Sequence, residues 1–269
     1  MASHPGKRSS EALALRGGEV RACSESLVVE EPLEIRLDGE PLAVTMRTPG
    51  NDVELAAGFL VSEGVARDFG AVSSIAHCDD AGNVVLVRTE PGAPGIVRPA
   101  PRAFAASSAC GLCGKATLES LRAFAAPLHG DPARVDARVL RALPDTLRAA
   151  QPLFRDTGAL HAAGLFSLDG ALLCAREDVG RHNAVDKVVG WAALERRLPL
   201  GGSLLLVSGR IGFEIAQKAL VAGIPILAAI SGASSLAVEL ARENGQALVA
   251  FLRGEALTIY AGSERIKFP

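Results

Sequence analysis

Residues 203–252 decide the fold of this chain, and they read SLLLVSGRIGFEIAQKALVAGIPILAAISGASSLAVELARENGQALVAFL. Two stretches of this segment have the helical spacing of apolar residues, at about 212–222 and 234–244. The apolar runs around them have the length of buried strands, and they are 203–208, 224–231 and 247–252. Strands that alternate with helices predict a parallel sheet with right-handed crossovers.

A β-hairpin is predicted just before this stretch. The apolar runs 161–168 and 171–176 flank Asp169-Gly170, a dipeptide that favours the tight turns of hairpins. A helix is predicted over about 182–196. The resulting order, β-β-α-β-α-β-α-β, is typical of a layered α/β domain.

The N-terminal third has the signals of a smaller, β-rich unit. Alternating residues around Asp38-Gly39 predict a hairpin over 33–46, and Asn51 or Asp52 can cap the helix that follows. A second strand pair is predicted around the turn at 80–83.

Prolines mark two connections. The stretch 91–102 contains four prolines and two glycines, which predicts an extended linker, and the helical pattern over 133–154 is interrupted at Pro144 and Pro152. We therefore expect an α/β protein with an α+β N-terminal part. Its four segments are a disordered tail (1–22), a hairpin and helix subdomain ending in the proline-rich linker (23–105), a mobile cysteine loop with a helix (106–125), and an α/β domain (126–269).

Composition excludes several classes of protein. The formal net charge of −2, without a long run of Lys or Arg, argues against nucleic acid as a ligand. The longest apolar run, 224–230, is far shorter than the roughly 20 residues of a membrane span, and the N-terminus does not resemble a signal peptide. Five cysteines, an odd count, argue for a reducing compartment. We expect a cytoplasmic protein with free thiols.

Cys110 and Cys113 are the strongest chemical signal. They lie in SSACGLCGK (107–115), where small residues leave both sulfurs accessible and a following helix N-terminus with Lys115 would favour a thiolate. A thiolate can attack the outer sulfur of a persulfide, hold that sulfur and pass it on. The pair therefore predicts a sulfur carrier.

A CxxC pair has other interpretations. It could be half of a zinc site, which would need two further ligands, and His77-Cys78 is the one adjacent candidate pair. It could be a thioredoxin-like redox pair, although such a pair follows the first strand of a βαβ unit and this one follows a proline-rich linker. It could also be a chance pair in a loop.

The segment AREDVGRHNAVDKV (175–188) packs many polar groups between a predicted strand and helix, and we interpret it as part of a site. His182 and Asp186 are four residues apart and share a helix face. The alternative is a capped helix with solvated charges. His161 opens an apolar strand, where a lone histidine is more often structural, so its role stays open.

Three strand ends carry glycine together with serine or arginine: Ser208-Gly209-Arg210, Ser231-Gly232-Ala233-Ser234-Ser235 and Leu252-Arg253-Gly254-Glu255. Ligands of open α/β sheets bind beyond the carboxyl ends of strands, and helix N-termini with arginines hold phosphate. This predicts a nucleotide-bearing ligand. Ordinary strand-to-helix turns would explain the glycines and serines, but not the two arginines.

Several long motifs occur in one order: TPGNDVELAAGFLVSEG, SSACGLCGK, TGALHAAGLF, AREDVGRHNAVDKV, SGRIGFEIAQKA, AGIPILAAISGASSLAVELA and FLRGEALTIY. With them the chain closely resembles the FdhD family, the formate dehydrogenase accessory sulfurtransferases, over nearly all of its length after residue 25. The resemblance implies that a cysteine desulfurase loads sulfur onto Cys110, with Cys113 as its partner. It also implies delivery of that sulfur to the molybdenum of a bis(molybdopterin guanine dinucleotide) cofactor, before the cofactor enters the catalytic subunit of formate dehydrogenase.

The resemblance also implies where the cofactor binds. The cofactor would be a transient substrate, with no permanent cofactor or metal. The family's segment for its guanine nucleotide matches Leu252, Arg253, Gly254, Glu255, Ala256 and Leu257. Our own inference adds Ser208, Gly209, Arg210, Ser231, His161, Asp178, Arg181 and His182. A homodimer is expected from the resemblance and because most oligomers are symmetric dimers.

The family fold is similar to that of zinc nucleoside deaminases, which implies a three-layer C-terminal domain with a mixed sheet. The stretches that match the deaminase site are 181–184 and 209–214; they lack the ligand cysteines, and Asn183 stands where an acid is needed. Three hypotheses remain: a sulfurtransferase, which we favour, a zinc hydrolase or deaminase, and a non-catalytic chaperone of the cofactor.

Overall fold

The structure is a computed structural model that describes residues 5–98 and 125–268. The α-helices of these residues are α1 (Asp52–Ser62), α2 (Ala137–Ala149), α3 (Pro152–Thr157), α4 (Arg181–Leu194), α5 (Phe213–Val221) and α6 (Ser235–Glu243). The strands are β1 (Lys7–Arg16), β2 (Glu19–Val28), β3 (Glu31–Leu37), β4 (Glu40–Arg47), β5 (Val72–His77), β6 (Val84–Thr89), β7 (Val135–Asp136), β8 (His161–Ser167), β9 (Leu172–Asp178), β10 (Ser203–Val207), β11 (Ile226–Ala229), β12 (Ala247–Arg253), β13 (Ala256–Ala261) and β14 (Ile266–Lys267). None of the described helices is both long enough and apolar enough to span a bilayer.

The central sheet has six strands in the order β13-β12-β11-β10-β8-β9. β10, β11 and β12 run parallel, which confirms the prediction from residues 203–252, and Leu205, Leu227 and Leu248 lie side by side across them. β8 and β13 run antiparallel to their neighbours, so the sheet is mixed. The predicted hairpin of β8 and β9 is also confirmed.

Helices cover both faces of this sheet. One apolar cluster joins it to α4, α5 and α6, and a second cluster joins the opposite face to α2. Because both faces of the parallel strands are buried, their sequences are continuously apolar instead of alternating. The closer likeness to nucleoside deaminases stays a prediction.

The N-terminal sheet has four strands in the order β4-β3-β6-β5, and both hairpins predicted for this part are confirmed. Its core joins side chains of the two central strands to α1: Leu33, Ile35, Val85, Val87, Leu55 and Leu60. Helix α1 begins after Asn51, but the Asn51 side chain makes no capping bond. Asp52 instead accepts two hydrogen bonds from Arg47, at 3.1 and 3.2 Å.

Two sequence predictions are wrong. Residues 7–22, which we expected in a disordered tail, form β1, a turn and part of β2. Gly17 and Gly18 both have positive φ, as the tight turn of a hairpin requires, and apolar and polar residues alternate on both sides of them.

The predicted interruption at Pro144 is also wrong. Helix α2 runs through Pro144 without a break, because leucines on both sides of the proline are buried against the sheet. The other segment boundaries stay predictions.

Helices α1 and α4 cross in backbone contact and join the two sheets. A Cβ on Gly58 would lie 1.8 Å from the carbonyl oxygen of Asp186, and a Cβ on Gly190 would lie 1.8 Å from that of Glu54. Arg176 beside the crossing donates two hydrogen bonds to the Glu54 carboxylate, at 2.5 and 2.6 Å. Glycine is therefore required at both positions by the distance between the helices.

We predict that Gly58→Ala lowers the free energy of unfolding by about 3 kcal/mol, since a methyl group against a backbone carbonyl forces the helices apart. Urea unfolding followed by circular dichroism measures the loss. The matched control is Gly202→Ala, where a Cβ meets nothing within 4 Å and a change within about 1 kcal/mol is expected. Equal stability of Gly58→Ala and the unchanged protein would contradict the close crossing.

Candidate functional site

The predicted site residues come together at one edge of the central sheet. The parallel strands β10, β11 and β12 end there, β9 also ends there, and the antiparallel β8 begins there. We call this the carboxyl edge, and it carries His161, Asp178, Ser208, Ser231 and Arg253. These five residues are distant in sequence, and the directions of their strands place them along the same edge of the sheet.

Hydrogen bonds tie the loops of the carboxyl edge to each other. The Ser208 hydroxyl accepts from the Ala162 N–H at 2.9 Å, and the Ser208 N–H donates to the Ala162 carbonyl at 2.9 Å. The loops after β10 and β11 form a short bridge. The Phe251 N–H donates to the Ser231 carbonyl at 3.0 Å. The edge is thus one connected surface.

The electrostatics of the edge favour an anion. Helices α4, α5 and α6 all begin there, so their free N–H groups and positive dipole ends point to the same side. Arg181 is the first residue of α4, and its buried Nε has no hydrogen-bond partner among the described residues. Arg210 in the next loop is exposed. These groups suit a phosphate or another compact anion.

His161 is part of this cationic surface but is held neutral. Gly209 allows the close approach, because a Cβ there would lie 3.2 Å from His161 Nδ1 and 3.7 Å from Arg181 Cβ. Burial lowers the pKa of His161 below its ordinary value of 6.5, the charges of Arg181 and His182 lower it further, and Asp178 opposes them only in part. His161 can therefore donate or accept a hydrogen bond at neutral pH.

His182 forms a contact that the sequence analysis missed. Its Nε2 lies 2.9 Å from the Oε2 of Glu214 in the first turn of α5, and both side chains are largely buried. The pair joins the beginnings of α4 and α5. No spacing in the sequence relates residues 182 and 214, so only the position of Glu214 in an adjacent first turn could have suggested it.

Strand β12 carries the second missed residue, Phe251, at an irregularity in its pairing with β13. This residue has φ of +55°, a backbone conformation that is costly for an aromatic residue, and its side chain is 40% exposed. A Cβ on Gly232 would lie 2.9 Å from the Cζ atom of this ring, so glycine leaves room for it, and the Arg253 guanidinium lies 5.8 Å from the ring centroid. An exposed ring beside a cation is a surface on which a nucleobase can stack.

The residues of the predicted segment 252–257 differ in whether their side chains are buried or exposed. Leu252 is buried in the cluster under α2, so its side chain does not reach the edge. Glu255 is exposed and forms an ion pair with Arg141 of α2. Arg253, Gly254 and Ala256 are exposed, and Leu257 packs on the α2 cluster. The exposed part of the segment is therefore limited to residues 253–256.

Four of the eight polar or charged side chains of segment 175–188 are buried, contrary to our interpretation of the whole segment as a site. Asp178 is completely buried and bonds Lys187 Nζ at 2.7 Å, Asn183 Nδ2 at 2.9 Å and the N–H groups of Gly180 and Thr48 at 2.8 and 3.1 Å. Its oxygens are occupied by the protein. Asp178 therefore positions the start of α4 and does not face a ligand.

Asp186, which shares a helix face with His182, belongs to a second buried network. It accepts from Ser62 at 2.6 Å and from Lys218 at 2.9 Å, and Lys218 also bonds Glu63 at 2.9 Å. Burial opposes the charge on Lys218, but Asp186 and Glu63 outweigh it and raise the pKa of the amine. This network locks α1, α4 and α5 together behind the edge.

A cavity of about 1150 Å³ lies away from the carboxyl edge, between the C-terminal ends of α1 and α4. Its lining includes Phe69, Arg67, Arg196, Leu198 and Ala125. A large cavity alone does not mark the chemistry, and the polar groups described above converge at the edge instead. Cys110 and Cys113 lie outside the described residues.

Comparison with known proteins gives a consistent result. A family model described as the FdhD/NarQ family matches residues 28–267. Over 266 residues the chain is 53% identical to the sulfur carrier protein FdhD of Streptomyces avermitilis, covering 94% of this chain and 93% of that protein. The protein of the same name from Mycobacterium tuberculosis is 51% identical over 264 residues, covering 94% and 95%.

A solved structure agrees with the fold. A crystal structure described as a formate dehydrogenase accessory protein from Desulfotalea psychrophila superposes with a TM-score of 0.79 at 25% sequence identity. The match covers 98% of this chain and 100% of that one. The two proteins therefore have the same overall fold.

We predict that His161 titrates below 6.5 and that Arg181→Leu moves its pKa toward 6.5, since the substitution removes a neighbouring positive charge. NMR titration of the imidazole C–H signals, assigned with His161→Gln, measures both values. The unfolded chain binds the proton first, so this group costs stability as pH falls from 6.5 to the folded pKa. Arg88→Leu, on β6 in the other sheet, should change nothing. A wild-type value above 6.5 would contradict the environment described here.

Proposed function

Because the chain belongs to the FdhD/NarQ family, we propose that it is a sulfur carrier that serves the maturation of formate dehydrogenase. One observation carries the proposal: identity of 51–53% over nearly the full length to proteins named sulfur carrier protein FdhD. The cysteine pair that sulfur chemistry needs is present at Cys110 and Cys113.

The proposed reaction uses the thiolate of Cys110. It attacks the outer sulfur of a persulfide on a cysteine desulfurase, a new S–S bond forms on Cys110, and the desulfurase cysteine leaves as a thiolate. The acceptor later bonds the outer sulfur with its own electron pair, the S–S bond breaks, and Cys110 leaves as a thiolate. In a second route the Cys113 thiolate attacks Cys110 Sγ, a Cys110–Cys113 disulfide forms, and the outer sulfur leaves as hydrosulfide. A thiol reductant then supplies the two electrons that restore both cysteines.

The proposed acceptor is a molybdenum cofactor that carries guanine nucleotides, bound as a transient substrate before it enters the catalytic subunit of formate dehydrogenase. The carboxyl edge fits the nucleotide part of such a substrate. Phosphate would lie at the helix N-termini near Arg181 and the exposed Arg210; the buried Nε of Arg181 has no hydrogen-bond partner among the described residues. The base would stack on Phe251 beside Arg253.

Two further parts of the proposal concern the setting. We propose that the protein acts in the cytoplasm, where a reducing environment keeps the thiols free. We also propose that it works as a homodimer with the desulfurase and formate dehydrogenase as transient partners. Neither nucleic acid nor a membrane is a proposed partner.

We predict that incubation with a cysteine desulfurase and cysteine adds the mass of at least one sulfur atom, removable by reductant. Cys110→Ser should lose this gain, because the acceptor thiolate is absent. Intact-mass spectrometry is the measurement. The matched control is Cys78→Ser, which removes an exposed cysteine outside the pair and should load sulfur like wild type.

The other outcomes separate the competing hypotheses. No added sulfur in wild type, with stoichiometric zinc bound instead, would support the zinc hydrolase. Full support of formate dehydrogenase activity by Cys110→Ser in cells that lack the native protein would support a chaperone whose cysteines are incidental. Either result contradicts the sulfur carrier.

We predict that Phe251→Ala weakens the binding of GDP about tenfold, because base stacking on an aromatic ring contributes about 1–3 kcal/mol. Isothermal titration calorimetry gives the affinity. Phe268→Ala removes a ring that is 63% exposed near the C-terminus and should bind GDP like wild type. Unchanged affinity in Phe251→Ala would place the base elsewhere.

A further inference from the structure

The hairpin of β1 and β2 presents an unusual surface. Its distal half exposes three aliphatic side chains on one face: Leu13 is 75% exposed, Leu15 is 70% exposed and Val20 is 64% exposed. Leu15 lies opposite Val20 across the hairpin. Single exposed aliphatics are ordinary, but a cluster at the end of a two-stranded ribbon is typical of an interaction surface.

The ribbon also has two free edges. The ion pair of Lys7 with Asp156 at 2.5 Å and the packing of β2 on α3 tie it to the rest of the chain. Among the described residues, neither β1 nor β2 pairs with a further strand. Ten-residue edges with free N–H and C=O groups are templates for another strand, and an isolated two-stranded ribbon is only marginally stable.

The turn determines which groups point outward. Gly17 and Gly18 both have positive φ, so Arg16 and Glu19 flank a two-residue turn and exchange backbone hydrogen bonds. Alternation along β2 then directs the N–H and C=O groups of the even-numbered residues, 20 to 26, away from β1. These groups are the outer edge of β2.

The charges on β2 are self-complementary about Cys23. A second copy of β2 can pair antiparallel about any residue from 21 to 25, because each of these centres sets even-numbered residues opposite each other. A centre at residue 22 places Glu19 opposite Glu25 twice, and a centre at residue 24 places neither Arg21 nor Glu25 opposite a charge. A centre at residue 21 places Arg21 opposite itself, and a centre at residue 25 places Glu25 opposite itself, which repels in both cases. A centre at Cys23 places Arg21 opposite Glu25 twice. Arg21 now bonds the exposed Glu19 on its own strand and can exchange it for Glu25 of the second copy.

We infer that the β1–β2 ribbon is a dimerisation surface, on which β2 pairs with β2 of a second copy of this chain about a two-fold axis at Cys23. The two ribbons would form one four-stranded sheet. This register places Val20 opposite Ser26 of the second copy, so the aliphatic tip of each ribbon lies beside the base of the other. A two-fold axis needs such a self-complementary surface.

This inference goes beyond the proposed homodimer by assigning its surface, and it does not depend on sulfur transfer. Failure of sulfur loading would leave the oligomeric state unaffected. Failure of ribbon pairing would not affect sulfur loading on Cys110, which the mass measurement tests separately.

Cys23 reports the register directly. At a non-hydrogen-bonded pair the two Cα atoms are about 4.5 Å apart, within the roughly 4.4–6.8 Å that a disulfide spans. A variant with Cys78→Ser, Cys110→Ser and Cys113→Ser keeps Cys23 and the buried Cys174. Diamide, which accepts two electrons and two protons from two thiols, should convert it to a covalent dimer. A matched variant that keeps Cys78 and carries Cys23→Ser should stay uncrosslinked.

Sedimentation velocity tests the charge pairing without any cysteine chemistry. Arg21→Glu and Glu25→Arg should each weaken the dimer at least about tenfold, since like charges then face each other at two places, and the double variant should restore it. Arg8→Glu changes an exposed charge on β1 and should leave the dimer intact. A monomeric wild type would overturn the inference, and so would a dimer that none of these changes affects and in which Cys23 does not crosslink.

Discussion

The backbone contact between α1 and α4 is the constraint on which the rest of the structure depends. With no side chain at Gly58 or Gly190, the two helices approach until each glycine meets a carbonyl of the other helix. Polar side chains can then bridge short distances, and Asp186, Lys218 and Ser62 do so within the same crossing. Buried ion pairs seldom add stability over apolar packing, because desolvation offsets the attraction. Their contribution here is to allow one arrangement of the three helices, since any other leaves a buried charge without its partner.

The crossing also determines where the first turn of α4, with Arg181 and His182, lies relative to the carboxyl edge. A helix of this length spans about 21 Å, so its beginning reaches the carboxyl edge while its middle is enclosed by α1 and α5. Asp178 adds a second anchor by binding the N–H of Thr48 at the end of β4 and Asn183 within α4. The N-terminal sheet therefore helps to set the position of Arg181 and His182 at the start of α4. A surface that binds an anion needs this rigidity, because free N–H groups attract only where they point in a fixed direction.

The sequence was sufficient for features that depend on local pattern. Runs of apolar residues with turn signals gave the hairpins and the parallel strands, and strand direction then placed His161, Ser208 and Arg253 at one edge. It was insufficient where a long-range contact decides. The pairing of His182 with Glu214 depends on two helices lying side by side, and the positive φ of Phe251 depends on a break in the pairing of β12 with β13. The β1–β2 hairpin was missed although its pattern is local, because its polar composition resembles that of a tail.

The segment 175–188 shows why polar density by itself does not identify a site. The same stretch supplies surface groups and interior groups within two turns of helix. Arg181 and His182 remain partly accessible because the first turn of α4 lies at the carboxyl edge, just beyond the end of β9. Asn183 and Lys187, one turn apart, face β4 and find acceptors there. One polar segment can thus supply both surface groups and interior groups. The position of the adjacent sheet decides which groups face the surface and which face the interior. The sequence pattern of a single helix carries no information about that position.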